Sequence, residues 1–193
     1  EKHHDELRWL YMELYQNDDM FAELCSKMYE YYRQRSSKLK ERDAKREQEA
    51  GWYHRKDMLG MMLYIDNFAG NRQGVKEKIP YLKELGINAV ELMPSYEFFE
   101  WTSLTEPAYV YPAPAEEKRV NYWGYGTKAL YFAPKASYAA SADAVAEFAE
   151  MVDALHENGI ECLMEFCFAP GTPSGFVLQV LHHWQLRYQI DGF

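Results

Sequence analysis

The sequence predicts an α/β fold preceded by an all-α helical segment. Residues 1–50 show apolar positions at helical spacing, and beyond Gly51 short apolar runs alternate with amphipathic helical stretches. With 48% hydrophobic and 26% charged residues over 193 positions, the chain is large enough for one core plus an accessory element. We therefore divide it into a helical segment, 1–51, and an α/β segment, 52–193.

In the first segment Leu7, Leu10 and Leu14 fall on one helical face, as do Phe21, Leu24 and Met28. Asn17-Asp18-Asp19 reads as a break, with Asp18 or Asp19 capping the next helix. Arg33 to Glu49 is nearly all polar and mixed in charge, as expected of a solvated helix connecting two units. His3-His4 has no further ligand nearby and reads as a frayed end rather than a metal site.

In the second segment Met58 to Ile65 reads as a buried strand. Gly74 to Leu85 has helical spacing through Val75, Ile79, Leu82 and Leu85 and stops at Gly86. Ile87 to Met93 is a second strand. After a long irregular stretch, 94–141, Ser141 is expected to cap a helix through Val145, Phe148, Met151, Val152 and Leu155 that stops at Gly159. Ile160 to Phe168 is a third strand. Ser174 is expected to cap a helix through Val177, Val180, Leu181 and Trp184, and Ile190 to Phe193 opens a fourth strand. This order is that of a parallel sheet or barrel. A complete (β/α)8 barrel needs about 250 residues, so the segment is either an open sheet or the first half of a barrel.

Composition excludes several classes of function. The net charge of −9 argues against general nucleic-acid binding, and no apolar run is long enough for a membrane span. Three cysteines form an odd, sparse set that points to a reducing, cytoplasmic setting, and no signal peptide is visible. Cys162 and Cys167 lie on or beside an apolar strand and read as buried thiols. No Gly-x-Gly-x-x-Gly or P-loop motif is present, so no cofactor is expected. His182-His183, adjacent on a helix, read as surface or packing residues. Aromatics reach 16%, which fits a tyrosine-rich core and also partners with apolar faces, sugars among them.

The motifs carry a family resemblance. Tyr64-Ile65-Asp66-Asn67-Phe68-Ala69-Gly70, Gly74-Val75-Lys76 and Ile79 through Gly86 resemble the first βα unit of the α-amylase superfamily (glycoside hydrolase family 13), nearest to amylosucrase. The helical segment, from His4-Asp5-Glu6-Leu7 to Gly51-Trp52-Tyr53, is similar to the amylosucrase helical domain. Val90-Glu91-Leu92-Met93-Pro94, Asn121-Tyr122-Trp123-Gly124-Tyr125, Tyr131-Phe132-Ala133-Pro134, Ala154 through Glu161 and Tyr188 through Phe193 resemble pullulanase and glycogen-debranching relatives.

The resemblance implies the N-terminal half of a (β/α)8 TIM barrel, strands 1 to 4, in an enzyme that cleaves or transfers α-glucosidic bonds. Retaining chemistry needs two carboxyl groups about 5–5.5 Å apart. In the family the nucleophile follows an Arg that comes just after the stretch matched by Asp191-Gly192-Phe193. The nucleophile Asp, the acid/base Glu and the family's transition-state-stabilising Asp are then all expected beyond Phe193, and no catalytic residue is named within the chain. Asp191 itself reads as structural.

The resemblance also implies a sugar site on the face formed by the loops after the strands. The family tyrosine matched by Tyr125 stacks on glucose, and Trp123 is the next aromatic candidate. Asp66, after the first strand, is a candidate site-lining carboxylate, and Glu91, inside the second strand, reads as structural. Where amylosucrase closes its sucrose pocket with an Asp, this chain has Tyr122. After the third strand the family shows Asp-x-x-x-Asn-His; here Glu165 keeps a carboxylate, but Ala169 and Pro170 replace the pair. Neither can donate a side-chain hydrogen bond or hold calcium, so no metal is expected.

Stretch 94–141 carries Tyr96, Phe98, Phe99, Trp101, Tyr109, Tyr111, Tyr122, Trp123 and Tyr125, too many aromatics for disorder. It reads as a binding loop with short elements of its own, its outer part stiffened by Pro107, Pro112 and Pro114. The expected partner is an α-glucan or a sucrose-like saccharide. The alternative function is a non-catalytic carbohydrate-binding or scaffold half-barrel. The open edges of such a half-barrel point to self-association or to a complementing barrel half.

Overall fold

The computed structural model describes residues 3–49, 51–102, 119–126 and 129–193. The chain divides into two compact units, Glu1–Trp52 and Tyr53–Phe193.

The first unit holds helices α1 (His4–Tyr15), α2 (Asp18–Gln34) and α3 (Ser37–Glu47). The break between α1 and α2 falls where expected, but the cap is Asn17, whose side chain accepts a hydrogen bond from the Met20 amide at 3.0 Å. Asp18 and Asp19 instead occupy the first turn, where their charge complements the helix dipole. Arg33–Glu49 is not one helix. Arg35 takes an extended conformation, Ser36 caps α3, and an Arg35–Asp43 ion pair of 2.5 Å spans the break. Phe21 is buried, in ring contact with His4 and Tyr11, whereas Leu10, Leu14 and Met28 remain exposed.

The second unit is α/β. Its centre is a parallel sheet in the order β1 (Gly60–Leu63), β2 (Ala89–Leu92), β7 (Glu161–Met164). Leu63 pairs with Leu92, which pairs with Met164, so the three strands end level. Gly192 makes an isolated parallel bridge with Leu163, in the stretch where a fourth strand was expected to open. The regular strands are shorter than the apolar runs predicted; Tyr64, Met93 and Glu165 follow them directly, and the Met93 and Glu165 amides still donate to Leu63 O and Leu92 O.

Between β1 and β2 lie α4 (Ile65–Ala69), α5 (Arg72–Glu77) and α6 (Ile79–Glu84). One continuous helix was expected over Gly74–Leu85. It is divided at Lys78, because Pro80 has no amide hydrogen for the helical ladder and sits instead in the first turn of α6. The Gly86 stop is as expected: Ile87 N–H reaches back to Leu82 O at 2.9 Å.

The described residues of stretch 94–141 form short antiparallel pairs. β3 (Tyr96–Phe98) pairs with β6 (Ala129–Pro134), and β4 (Trp101–Thr102) pairs with β5 (Arg119–Val120). Tyr96 and Phe98 were expected in a binding loop, but both are buried in the core. Tyr109, Tyr111, Pro107, Pro112 and Pro114 lie outside the described residues.

Helix α7 (Ala144–Glu157) is capped by Asp143, which accepts from the Ala146 amide at 2.9 Å. Ser141, the expected cap, instead accepts from the Asp143 amide one step upstream. In α8 (Ser174–Tyr188), Ser174 is the first helical residue and makes no side-chain cap. Val90, Leu92, Cys162 and Met164 of the sheet pack with Phe148, Met151, Val152, Val180 and Trp184 of these helices in one core. Burial of this kind contributes about 1.5–3 kcal/mol per large apolar side chain. Trp184 Nε1 donates to Tyr131 O at 2.6 Å, fixing α8 to β6.

Candidate functional site

The three parallel strands point their C-terminal ends at one rim, and the chain leaves each strand with a side chain there. Tyr64 follows β1 directly. Glu165 follows β7, its amide donating to Leu92 O at 2.9 Å, so its position is fixed by the sheet. The segment 121–125 arrives between them from the antiparallel insertion.

That segment is a tight turn organised by Asn121. Its Oδ1 accepts from the Gly124 amide at 3.1 Å, and its Nδ2 donates to Tyr125 O at 2.9 Å and to Phe99 O at 3.3 Å. The Asn121 amide donates to Glu100 O at 2.7 Å. Gly124 adopts φ +74°, and a Cβ there would lie 2.5 Å from Pro94 Cβ and 2.8 Å from Phe98 Cε1. Only glycine lets the turn lie this close to the end of β2.

Two of the predicted site residues are joined directly. The Tyr125 hydroxyl donates to Glu165 Oε1 at 2.6 Å. Burial, then the hydrogen bond and charge of Glu165, push the Tyr125 phenol well above the usual tyrosine range. The other two share a cleft of about 430 Å³ lined by Tyr64, Asp66, Asn67, Tyr122 and Trp123. Asp66 lies in the first turn of α4. Tyr122 and Trp123 are exposed, and the Trp123 ring meets Tyr64 edge-on with centroids 5.5 Å apart.

Tyr64 links the two pairs. It lines the cleft beside Asp66 and packs against Trp123, and its phenol is raised by burial and then by the Glu165 charge. Sequence reasoning missed Tyr64 and Asn67 as lining residues and considered Tyr122 only as a departure from amylosucrase. The available signal was position: Tyr64 is the first residue past a strand, and Asn67 lies one helical turn beyond it.

The site thus offers flat aromatic faces with carboxylate and amide groups at their edges. Such a surface suits a polar ligand that has apolar C–H faces. Ala169 and Pro170 follow Glu165 without contributing a side-chain donor. Among the described residues no group of three His, Cys, Asp or Glu side chains is placed to hold a metal ion. No helix among them is long and apolar enough to cross a membrane.

Asp191 and His156 meet away from this cleft. His156 Nε2 donates to Asp191 Oδ2 at 2.7 Å, and the same oxygen accepts from the Cys162 amide at 3.0 Å. Cys162 is buried, and burial, then the Asp191 charge, push its thiol up.

No protein-family model matches the chain. It is 41% identical over 104 residues to isoamylase 1, chloroplastic, of Arabidopsis thaliana, covering 51% of this chain and 12% of that protein. Isoamylase SU1, chloroplastic, of Zea mays is 31% identical over 145 residues, 65% of this chain and 17% of that protein. The glycogen operon protein GlgX homolog of Mycobacterium tuberculosis is 39% identical over 93 residues, 47% of this chain and 11% of that protein. The chain therefore spans less than a fifth of the length of each of these relatives.

Among solved structures, the fold is similar to a product complex of the multi-modular glycogen-degrading pneumococcal virulence factor SpuA. The TM-score is 0.53 and the identity 16%, over 70% of this chain and 19% of that one. It is also similar to the maltogenic α-amylase AmyB of Thermotoga neapolitana, with a TM-score of 0.51 and 13% identity over 72% of this chain and 38% of that one. Sequence relatives agree with the motifs at the strand ends, and the fold neighbours agree with the fold: the chain is similar to members of the α-amylase superfamily.

Proposed function

We propose that this chain supplies the strand 1 to strand 3 wall of an α-glucan-active glycoside hydrolase and the opening of its fourth strand. Strands 1 to 4 then form the N-terminal half of a (β/α)8 barrel whose sugar site lies at the strand C-termini. The observation that carries the reading is the cleft itself. Tyr64, Asp66, Asn67, Tyr122 and Trp123 converge at the rim of the parallel sheet, beside the bonded pair Tyr125 and Glu165. Tyr125 and Trp123 present ring faces to pyranose C–H groups, while Asp66 and Glu165 accept from sugar hydroxyls. The relatives are isoamylases and a glycogen operon protein, and the SpuA neighbour is described as glycogen-degrading, which favours a branched α-glucan as the substrate class.

In this reading the reaction is retaining, and the nucleophile and acid/base are not among residues 1–193. The chain's own residues bind and orient the glucan. Tyr125, held neutral by burial and then by Glu165, keeps a fixed ring face toward the sugar.

A second reading is a non-catalytic carbohydrate-binding module. The replacement of a sugar-bonding Asn-His pair by Ala169-Pro170 favours it.

The test is titration of the full chain with maltohexaose, followed by tryptophan fluorescence, beside a glycogen-hydrolysis assay. Saturable binding that is lost in Trp123→Ala supports the glucan site. Because this reading puts the nucleophile and acid/base outside residues 1–193, the hydrolysis assay uses the protein as its gene encodes it, and release of reducing ends there selects the hydrolase over the binding module. A folded chain with no response to malto- or isomalto-oligosaccharides overturns both readings.

A further inference from the structure

The rim pair Tyr125 and Glu165 lies on two segments that belong to different parts of the fold, the antiparallel insertion and the stretch after β7. A hydrogen bond between two such segments holds its geometry only if something beneath fixes their spacing. Tyr96, in β3, occupies that place. It is fully buried, its ring stacked on Phe166 at 5.1 Å with an interplanar angle of 11° and packed against Tyr131 at 5.0 Å.

Its hydroxyl faces both segments. It donates to Gly124 O at 3.3 Å, on the residue before Tyr125. It accepts from the Cys167 amide at 3.2 Å, two residues after Glu165. The two polar capacities of one phenol are thus divided between the two segments that carry the rim pair. A phenylalanine would fill the core equally well, so packing alone does not call for the oxygen.

We infer that Tyr96 is a positioning residue of the saccharide site, a buried strut that sets the distance between Tyr125 and Glu165 through Gly124 and Cys167. The inference rests on the glucan reading of the cleft for its consequence but not for its geometry. Burial favours the neutral phenol, so the strut keeps its proton and both bonds across the physiological range. Loss of the hydroxyl leaves a buried carbonyl and a half-buried amide without this partner and frees the two segments to drift. A small misplacement of a binding group at such a rim is costly to function even when the fold survives.

The experiment compares the full chain with Tyr96→Phe and Tyr131→Phe. Tyr131 is a suitable control because its hydroxyl donates to Cys167 O at 2.8 Å and so touches the same segment without bridging to Gly124. Maltohexaose affinity is read by fluorescence titration, and amide hydrogen exchange is read at Cys167 and over 121–126. In Tyr96→Phe we expect exchange at Cys167 and Gly124 to rise together and affinity to fall about tenfold. In Tyr131→Phe affinity stays within about twofold and the 121–126 amides keep their protection. Equal losses of affinity in the two variants overturn the inference, since they reflect general loosening. So does a Tyr96→Phe protein that binds as the parent does. Should Tyr96→Phe not fold, exchange in the parent chain decides: an unprotected Cys167 amide overturns the strut. If the parent itself does not bind maltohexaose, the glucan reading fails, and the coupled exchange of Gly124 and Cys167 still judges the strut.

Discussion

Forty positions apart in the chain, Tyr125 and Glu165 share a 2.6 Å hydrogen bond at the rim of the parallel sheet. The acceptor is a carboxylate and the donor a half-buried phenol. Such a charge-assisted O–H···O bond is about twice as strong as a neutral one. It also means that the phenol resists ionisation, since a phenolate would face Glu165 as a like charge.

This sets an alkaline signature. The folded-state pKa of Tyr125 is raised above its unfolded value of about 10. Its contribution to stability is therefore fully present below about pH 10 and is lost as pH climbs toward the folded value. Tyr96, Tyr131, Tyr138 and Tyr188 are raised by burial as well, so the alkaline loss is collective. In urea unfolding, Tyr125→Phe is expected to reduce the decline in stability above about pH 10. Glu165→Gln moves the phenol only part of the way back, because burial is the larger cause. Superimposable pH curves for parent and Tyr125→Phe would show that the folded protein does not hold this phenol above its unfolded value.

Gly124 gives a steric prediction. Alanine there combines a left-handed backbone with contacts under 3 Å to Pro94 and Phe98. We expect Gly124→Ala to cost about 2–5 kcal/mol by chemical denaturation, from about 1–2 for the backbone and 1–3 for overpacking. Gly159 has φ +77° with nothing near its missing Cβ, so Gly159→Ala should cost only about 1–2 kcal/mol. Equal costs at the two positions would mean that the turn is not pressed against β2.

These positions show what the sequence could and could not reveal. The parallel strands and the helix stops at Gly86 and Gly159 were legible because periodicity and local motifs encode them, whereas the candidacy of Tyr125 and Glu165 came from the family resemblance. The antiparallel pairing of β3 with β6 was not. β3 spans only Tyr96–Phe98, so its alternation of buried and half-buried residues is too short to stand out from a loop in the sequence. The same shortness hid Tyr96, which reads as a loop aromatic until its burial is known. Tyr64 and Asn67 were overlooked for a different reason: convergence on a cleft is a tertiary property with no local pattern. Helix α1 shows the reverse error, since Leu10 and Leu14 share an apolar face in sequence yet stay exposed.

Asp191 carries a stability prediction. One buried carboxylate oxygen accepts from both His156 Nε2 and the Cys162 amide, and so fastens the end of α7 and the start of β7 to the bridge at Gly192. Asp191→Ala strips both donors of this acceptor, an expected loss of about 2–4 kcal/mol in thermal or urea unfolding. Asp191→Asn keeps a carbonyl oxygen in place and should lose less. If the alanine variant unfolds at the parent's midpoint, the buried contact contributes nothing.

Asn121 carries the last prediction, and it separates two ways of holding the rim turn. Packing of Gly124 against Phe98 places the turn from one side, whereas Asn121 braces it from within through one acceptor and two donor bonds. Asn121→Ala removes all three and should weaken maltohexaose binding about tenfold while leaving the distant core intact. Asn121→Asp retains an oxygen for the Gly124 amide. It also turns a carboxylate oxygen toward the carbonyls of Tyr125 and Phe99, where no proton remains to bridge them. The aspartate should therefore bind no better than the alanine despite its closer shape. If aspartate instead binds as the parent does, the acceptor bond to Gly124 alone orders the turn. If alanine does so too, the turn is held by the close fit of Gly124 and not by Asn121.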